Sequence, residues 1–197
     1  MKPTNSLKKI IVSGSRIKLL QILFHRPGEM YYIRQLTRLS GEKINAVRRE
    51  LRNLEVAGVL ESEWRGNKLF YWVNKKHCFF QEILSLSLKT NGLGKEIIKN
   101  KQRLGKIKFV LFSGKFAREM EHTKDEVDIL VIGKVVLPEL GALIREEEKK
   151  RGHEINYSVM EENEFRFRKT NRDPFLLQVL LQSRVMIVGD EQEMIDY

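Results

Sequence analysis

Apolar residues between Ser40 and Gly58 recur at intervals of three and four. The members of this series are Ile44, Val47, Leu51 and Leu54. Because an α-helix completes a turn in 3.6 residues, the spacing predicts an amphipathic helix whose apolar stripe packs on a core. Ser40 is expected to cap the first turn, and Gly58 is expected to follow the helix in the left-handed conformation that ends many helices.

The opposite face of this predicted helix is basic and has no carboxylate at its centre. Arginine can bind guanine edges through two hydrogen bonds, asparagine can bind adenine edges, and any cation can bind phosphate. The alternative is a basic face that contacts only solvent. Asn53 lies on this face, and the candidate DNA-contacting residues are Lys43, Asn45, Arg48, Arg49 and Arg52.

The segments before this helix also follow a recognisable order. Residues 15–25 predict a helix that Pro27 and Gly28 end, and residues 31–33 predict a short extended lead-in. Residues 33–39 predict a second helix, which a tight turn at Ser40 and Gly41 joins to the basic helix. Two helices, a tight turn and a basic helix form the order of a helix-turn-helix unit.

A predicted hairpin follows directly. Residues 59–64 and 69–73 have strand character and are separated by Arg65-Gly66-Asn67-Lys68. Residues 12–76 resemble the winged helix-turn-helix transcription regulators, and the segment LRNLEVAGVLESEWRGNKLFYWV carries the resemblance. The resemblance implies that the helix reads the major groove while Arg65 and Lys68 straddle a phosphate backbone or minor groove. Winged helices also serve as protein-interaction modules, which is the alternative.

Two further features of this region lead to expectations about burial. The hairpin aromatic residues are Trp64, Phe70, Tyr71 and Trp72, and strand alternation favours core packing of one face over stacking on bases. Cys78 precedes two phenylalanines, which predicts a buried structural thiol. As the single cysteine it excludes an internal disulfide and is typical of a reducing cytoplasm.

The remainder of the chain predicts a different architecture. Residues 77–106 predict two helices, broken at Asn91 and Gly92, that connect the halves. From residue 107, strand and helix patterns alternate, as is typical of helices packed on a small sheet. The segment LFSGKFAREMEHTKDEVDILVIG resembles the minimal nucleotidyltransferase domains of the polymerase-beta type. Their signature is G-S-x-A-R-G followed by D-x-D at the start of the next strand.

The resemblance assigns roles to particular residues. It implies that a turn containing Gly114, Lys115 and Arg118 presents amides to a triphosphate, and that carboxylates hold two Mg²⁺ ions. Lys115 replaces the serine of the signature, Glu119 the closing glycine and Glu126 the first aspartate. The third carboxylate position falls on Asn156, so only Asp128 is intact.

These replacements predict a domain that has lost catalysis. Mg²⁺ requires near-ideal octahedral oxygen ligation, which a longer glutamate and a neutral amide supply poorly. Mg²⁺ and a nucleoside triphosphate would therefore be cofactors only if the site functions, with Glu126 and Asp128 as the metal ligands. Gly114, Lys115 and Arg118 could still hold a nucleotide effector, or the domain could serve only for dimerisation.

Together, these patterns predict an α+β protein with two domains. The predicted boundaries are 1–76 for a winged helix DNA-binding domain, 77–106 for a helical connector and 107–197 for a nucleotidyltransferase-like α/β domain. Residues 1–106 contain 22 Lys and Arg against 8 Asp and Glu, whereas residues 107–197 contain 14 against 18. This asymmetry predicts that only the first half meets a polyanion, here double-stranded DNA.

The predicted function is a cytoplasmic, homodimeric, DNA-binding transcription regulator with a catalytically inactive second domain. Two alternatives remain open: an active metal-dependent nucleotidyltransferase and an antitoxin-like protein-interaction module. The N-terminal apolar run breaks at Ser13 and Gly14, so neither a signal segment nor a membrane span is expected. The four histidines are scattered, which argues against a zinc site.

Overall fold

The structure, a computed structural model, describes residues 11–120 and 126–197. Contacts divide the chain into two compact units, one up to Asn91 and one from Gly92 onward. Each unit combines helices with a sheet of its own, so the fold is mixed α/β with two sheets, which agrees at that level with the predicted α+β class. The predicted connector 77–106 contributes a helix to each unit, Phe80–Thr90 to the first and Gly92–Lys99 to the second.

From residue 11 onward, the first unit packs four helices around a three-stranded antiparallel sheet of order β1-β3-β2. Buried leucines and aromatic residues, among them Leu19, Leu36 and Tyr71, form its core. Its elements are α1 (Gly14–Leu23), β1 (Tyr31–Tyr32), α2 (Ile33–Ser40), α3 (Ile44–Val56), β2 (Leu60–Arg65), β3 (Lys68–Val73) and α4 (Phe80–Thr90).

Helix α3 is the predicted amphipathic helix. Val47, Leu51 and Leu54 are buried, which confirms the apolar stripe. After the helix, Gly58 has a φ of 74°. Its N–H donates to the Glu55 carbonyl, and the next N–H donates to the Leu54 carbonyl. These two bonds form a Schellman motif, so the predicted role of Gly58 is confirmed.

The predicted cap at the start of α3 is wrong. Ser40 is the last residue of α2, and the N-cap position of α3 is Lys43, whose side chain makes no capping hydrogen bond. The reason is that α2 extends one residue further than expected, to Ser40, and Gly41 with a φ of 65° is its C-cap. The turn between the helices is thereby shifted beyond Ser40.

Strands β2 and β3 form a hairpin joined by the two residues Gly66 and Asn67. Arg65 lies opposite Lys68 at its tip, and Leu60 lies opposite Val73 at its base. Gly66 has a φ of 60° and occupies the first position of the turn, where a type II′ hairpin turn favours glycine. The predicted hairpin is therefore confirmed, with strands one residue longer at the tip.

The second unit packs helices on both faces of a four-stranded sheet of order β6-β5-β4-β7. Strand β4 is antiparallel to both neighbours, whereas β6 is parallel to β5. The elements are α5 (Gly92–Lys99), β4 (Gly105–Ser113), α6 (Gly114–Ala117), β5 (Ile129–Val135), α7 (Leu137–Arg151), β6 (Tyr157–Met160), α8 (Glu162–Thr170), α9 (Pro174–Leu181), β7 (Arg184–Val188) and α10 (Glu191–Asp196).

Side-chain alternation buries both faces of this sheet. On one face, Phe109 and Leu130 join a cluster with Phe165, Leu176 and Met194 from the three C-terminal helices. Residues that alternate with them point to the other face, and these are also buried. The strands of a sheet that is buried on both faces have continuous apolar sequences. This explains why β4 and β5 can be predicted from the sequence.

Two details of the structure differ from expectation. Cys78 is exposed, so the predicted buried thiol is wrong: in the run Cys78-Phe79-Phe80 only Phe80 turns into the core. The helix that follows β4 is a single turn that ends at Ala117. Helix α8 is an element for which the sequence provides no apolar stripe, since Phe165 is its single buried residue.

Candidate functional site

The outer face of α3 presents a continuous set of polar and basic side chains. Both carboxylates of the helix are directed elsewhere: Glu50 is buried, and Glu55 accepts a hydrogen bond from the hydroxyl of Ser62. The face is consequently cationic along its whole length. Its exposed residues are Lys43, Asn45, Arg48, Arg49, Arg52 and Asn53.

The arginines of this face are available to an external anion. Arg48 and Arg52 make no ion pair with any carboxylate in the part of the chain that the structure describes. The guanidinium of Arg49 lies 3.7 Å from Glu50, and its side chain is 68% exposed. A separation of that length leaves most of its five donors unused.

Glu50 anchors α3 to α1. Its carboxylate accepts hydrogen bonds from Nε of Arg16 at 2.9 Å and from the hydroxyl of Ser13 at 3.0 Å. Ser13 is also the N-cap of α1, where it accepts from the Arg16 backbone N–H. Burial alone would raise the pKa of Glu50, but these hydrogen bonds and the charges of Arg16 and Arg49 lower it overall. The arrangement fixes the orientation of the cationic face.

A second carboxylate fixes the turn before α3. Glu42 accepts from the ammonium of Lys18 at 2.6 Å and from the hydroxyl of Ser15 at 2.7 Å. The Lys18 hydrogen bond, followed by that of Ser15, lowers the pKa of Glu42. Both anchors were missed by sequence reasoning. A glutamate within an apolar stripe, as at position 50, is the signal that could have indicated the first of them.

The hairpin tip places two further cations next to α3. Nε of Arg65 lies 3.0 Å from the carboxylate of Glu63, and Nζ of Lys68 lies 4.9 Å from the centre of the Tyr32 ring. Both side chains are exposed and held at the surface by weak contacts, from which an anion can draw them. The structure therefore places Arg65 and Lys68 together, as the strand register requires.

The aromatic residues of the hairpin behave differently from one another. Tyr71 is buried, as core packing predicts, and Nε1 of Trp72 donates to Glu61. Trp64 is 68% exposed, so for this residue the core-packing prediction is wrong. Trp64 lies on the same face as the buried Leu60, but nearer the tip of the hairpin.

A groove of about 470 Å³ lies between the hairpin, α2 and the start of α3. Basic, aromatic and apolar side chains line it, and none of its lining residues is acidic. Arg34 is a member that sequence reasoning did not select. The principal lining side chains are Tyr32, Arg34, Arg48, Trp64, Asn67 and Lys68.

The division of charge follows the observed units more sharply than the predicted halves. Residues 1–91 contain 17 Lys and Arg against 7 Asp and Glu, and residues 92–197 contain 19 of each kind. The whole net charge of +10 thus belongs to the first unit. The lysines that follow Gly92 are compensated by the carboxylates of the second unit.

The second predicted site is the turn from β4 into α6. The hydroxyl of Ser113 accepts from the Phe116 N–H at 3.2 Å, which caps the turn. Gly114 packs against Ser183, and a Cβ at position 114 would lie 1.9 Å from the Ser183 hydroxyl. Packing alone therefore requires glycine here. Arg118 donates to the same hydroxyl at 3.3 Å.

The predicted metal ligands are engaged with protein groups. Nζ of Lys115 lies 2.6 Å from the carboxylate of Glu126. Asp128 is buried, and one of its oxygens accepts from the Asn156 N–H at 2.9 Å. The structure thus brings Asp128 next to the backbone of Asn156.

This set of groups does not fit two Mg²⁺ ions. A lysine ammonium neutralises Glu126, and the third position offers an amide in place of a carboxylate. Among residues 11–120 and 126–197, no group of three or more His, Cys, Asp or Glu is placed to hold a metal ion.

Glu119, in the place of the signature's closing glycine, has a φ of 50°, a conformation that favours glycine. Its carboxylate lies 3.4 Å from Arg151, whose side chain is buried. Arg151 also binds Glu147 at 2.9 Å and stacks on the ring of Phe116 at 4.2 Å. The surroundings of the turn are thus occupied by internal ion pairs.

A comparison with known protein families and with curated proteins finds no match to this chain. Within the described ranges, every helix is too short or too polar to cross a lipid bilayer.

Proposed function

We propose that this protein is a transcription regulator that binds double-stranded DNA through a winged helix-turn-helix in its first unit. The observation that carries the proposal is the outer face of α3. Its exposed arginines and asparagines have no carboxylate among them, because Glu50 and Glu55 are turned to internal partners. A face that is so completely cationic and so firmly anchored suits a polyanion with a fixed shape.

In this proposal α3 lies in the major groove. Asn45, Arg49 and Arg52 contact base edges, whereas Lys43 and Arg48 contact phosphates at either side. The hairpin acts as the wing, and Arg65 and Lys68 at its tip contact the neighbouring backbone. The anchors at Glu42 and Glu50 hold α3 in register with α1, which supports docking as a rigid body.

Selection of bound duplexes from a randomised library, followed by fluorescence anisotropy on the selected duplex, tests this proposal. Arg49→Ala should weaken binding by about 1–3 kcal/mol and relax specificity at the base that it reads. Lys150→Ala, an exposed cation on α7 in the second unit, is the matched control and should leave affinity unchanged. Failure to bind any duplex at low salt would contradict the proposal.

For the second unit we propose a nucleotidyltransferase-like domain that has lost catalysis and serves in dimerisation or nucleotide sensing. The support is the Lys115–Glu126 ion pair and the amide at position 156, which leave the carboxylates unsuited to Mg²⁺. Incubation with labelled nucleoside triphosphates and Mg²⁺ or Mn²⁺ should yield no product. Incorporation that Asp128→Ala abolishes would instead establish an active enzyme.

Calorimetry and sedimentation distinguish the two roles of the second unit. Heat on titration with ATP or GTP would support a nucleotide effector held by Gly114, Lys115 and Arg118. We propose that the protein is a homodimer, since α9 exposes Leu177 and Leu181 one helical turn apart, where a second copy could cover them. A monomer at micromolar concentration in sedimentation would contradict this part.

A further inference from the structure

The groove beside α3 combines features that an intact duplex does not require. Trp64 forms one wall, and its cross-strand neighbour Leu69 continues the same face of the hairpin. Closer to the base of the hairpin this face is core, since Leu60, Tyr71 and Val73 are buried. At Trp64 the core has ended, so an indole that would ordinarily be buried stands open to solvent at the edge of the groove.

The charge of the groove favours an anionic occupant. Arg34, Arg48 and Lys68 reach it from three different elements: α2, α3 and β3. None of the three makes an ion pair within the described ranges, and no acidic residue lines the groove. Asn67 adds an amide at the mouth, which can donate and accept hydrogen bonds.

The apolar part of the groove favours a ligand that carries a flat ring in addition to its anionic group. Ile33, Ile44 and Leu69 form apolar wall next to the rings of Tyr32 and Trp64. The volume of about 470 Å³ lies within the roughly 300–1,000 Å³ that is usual for pockets holding small organic ligands. A single nucleotide matches this combination, with its base on the indole and its phosphate between the cations.

We propose that the groove binds one unpaired nucleotide of a DNA strand, so that the protein prefers a duplex with a bulged base to an intact one. This inference rests on the proposed DNA binding and deepens it. In an intact duplex both faces of each base are covered by its neighbours, so the indole of Trp64 has nothing to stack on. An unpaired base exposes one of its faces for stacking. The groove lies between α3 and the hairpin, the two elements that hold the strand in the proposed complex.

Anisotropy titration of three DNA molecules tests the proposal. They are the selected duplex, the same duplex with one extra thymidine on one strand, and the same bulge with an abasic residue. Base–aromatic stacking predicts roughly five- to hundredfold tighter binding of the thymidine bulge. The abasic bulge should bind no more tightly than the intact duplex, because it supplies the bend and the phosphate without a base.

Variants of the two tryptophans assign the effect to the groove. Trp64→Ala should remove the preference for the bulge while affinity for the intact duplex is kept, and Trp64→Phe should retain part of the preference. Trp72→Phe is the matched control, because Trp72 lies on the other face of the hairpin. Since the chain has two tryptophans, Trp72→Phe leaves Trp64 as the single indole emitter, and the bulge should quench its fluorescence.

The outcomes separate this inference from the proposed function. Equal affinity for the three DNA molecules, or a preference that Trp64→Ala retains, overturns the inference while DNA binding stands. Equal loss of affinity for all three in Trp64→Ala also overturns it, since Trp64 would then be an ordinary contact to the duplex. No binding to any of the three overturns the proposed function itself.

Discussion

Carboxylates have opposite roles in the two units of this protein. In the first unit, Glu42 and Glu50 bind groups of α1, and the outer face of α3 is left cationic. In the second unit, Glu126 and Glu119 are themselves neutralised by Lys115 and Arg151, at the turn where the resemblance implies an anion site. The location of ion pairs therefore distinguishes an exposed cationic face from a neutralised turn more clearly than the number of charges does.

In the second unit, the turn at Gly114 should be the position most sensitive to substitution. Gly114→Ala should destabilise the protein by about 3 kcal/mol, because the added Cβ meets the Ser183 hydroxyl at 1.9 Å and its backbone carbonyl at 2.8 Å. Denaturant unfolding followed by circular dichroism measures the change. The affinity for DNA, measured without denaturant, should stay the same, since position 114 lies outside the first unit.

A glycine in the other unit provides the control. Gly14→Ala adds a Cβ with no atom within 4 Å at a helical position and should be neutral or stabilising by up to about 1 kcal/mol. Equal stability of the Gly114 and Gly14 variants would show that the turn at Gly114 can open. An opening turn would strengthen the proposal that it holds a nucleotide phosphate.

The anchor of α3 should have the next largest effect. Glu50→Gln should destabilise the protein by about 1–3 kcal/mol, because a buried acceptor of charged hydrogen bonds is replaced by a neutral amide. The folded pKa of Glu50 is lowered, so its contribution is present above the unfolded pKa and is lost as pH falls through the folded pKa. Urea unfolding between pH 7 and pH 3 should show a flatter acid limb for the variant.

Glu63→Gln is the corresponding control, since Glu63 also contacts an arginine but is exposed. Its effect should stay below about 1 kcal/mol. If both glutamine variants lost the same stability, Glu50 would not be an anchor of special importance. The distinction between the carboxylates that anchor α3 and the carboxylates exposed at the surface would then fail.

The ion pair in the second unit should contribute less. Lys115→Ala should cost about 1 kcal/mol or less, because the lysine is partly exposed and its attraction to Glu126 is screened. Thermal unfolding with and without Mg²⁺ measures both stability and metal binding. The wild-type midpoint should not change with Mg²⁺, and Lys149→Ala, which removes an exposed i,i+3 pair, should have almost no effect. A wild-type unfolding midpoint that rises with Mg²⁺ would contradict the interpretation that the Lys115 ammonium takes the place of a metal ion beside Glu126.

Local patterns in the sequence are sufficient for α3 and the hairpin. The apolar spacing, the glycine at position 58 and the Gly66-Asn67 turn act over a few residues, and each leads to the structure observed. The anchor at Glu50 is different, since its partners Arg16 and Ser13 are 34 and 37 residues away. A buried glutamate can be suspected from its place in an apolar stripe, but its partners depend on how the helices pack.

The groove beside α3 illustrates the same limit. Alternation identifies Trp64, Leu60 and Ser62 as one face of the hairpin, but it does not tell how far the helices beneath that face extend. Arg34 joins Arg48 in the groove only because α2 and α3 meet the hairpin at one end. Burial of a residue near the end of an element therefore depends on its neighbours in space.

The smallest expected effect belongs to the hairpin tip. Lys68→Ala should weaken binding of all intact duplexes by a similar factor and reduce the slope of log K against log salt by about 0.9, because one phosphate contact is lost. Anisotropy at several salt concentrations measures that slope. Lys68 is exposed and lies over the Tyr32 ring, so its removal should leave the fold intact. An unchanged slope would show that the hairpin tip does not reach the backbone, and DNA contact would then be confined to the face of α3.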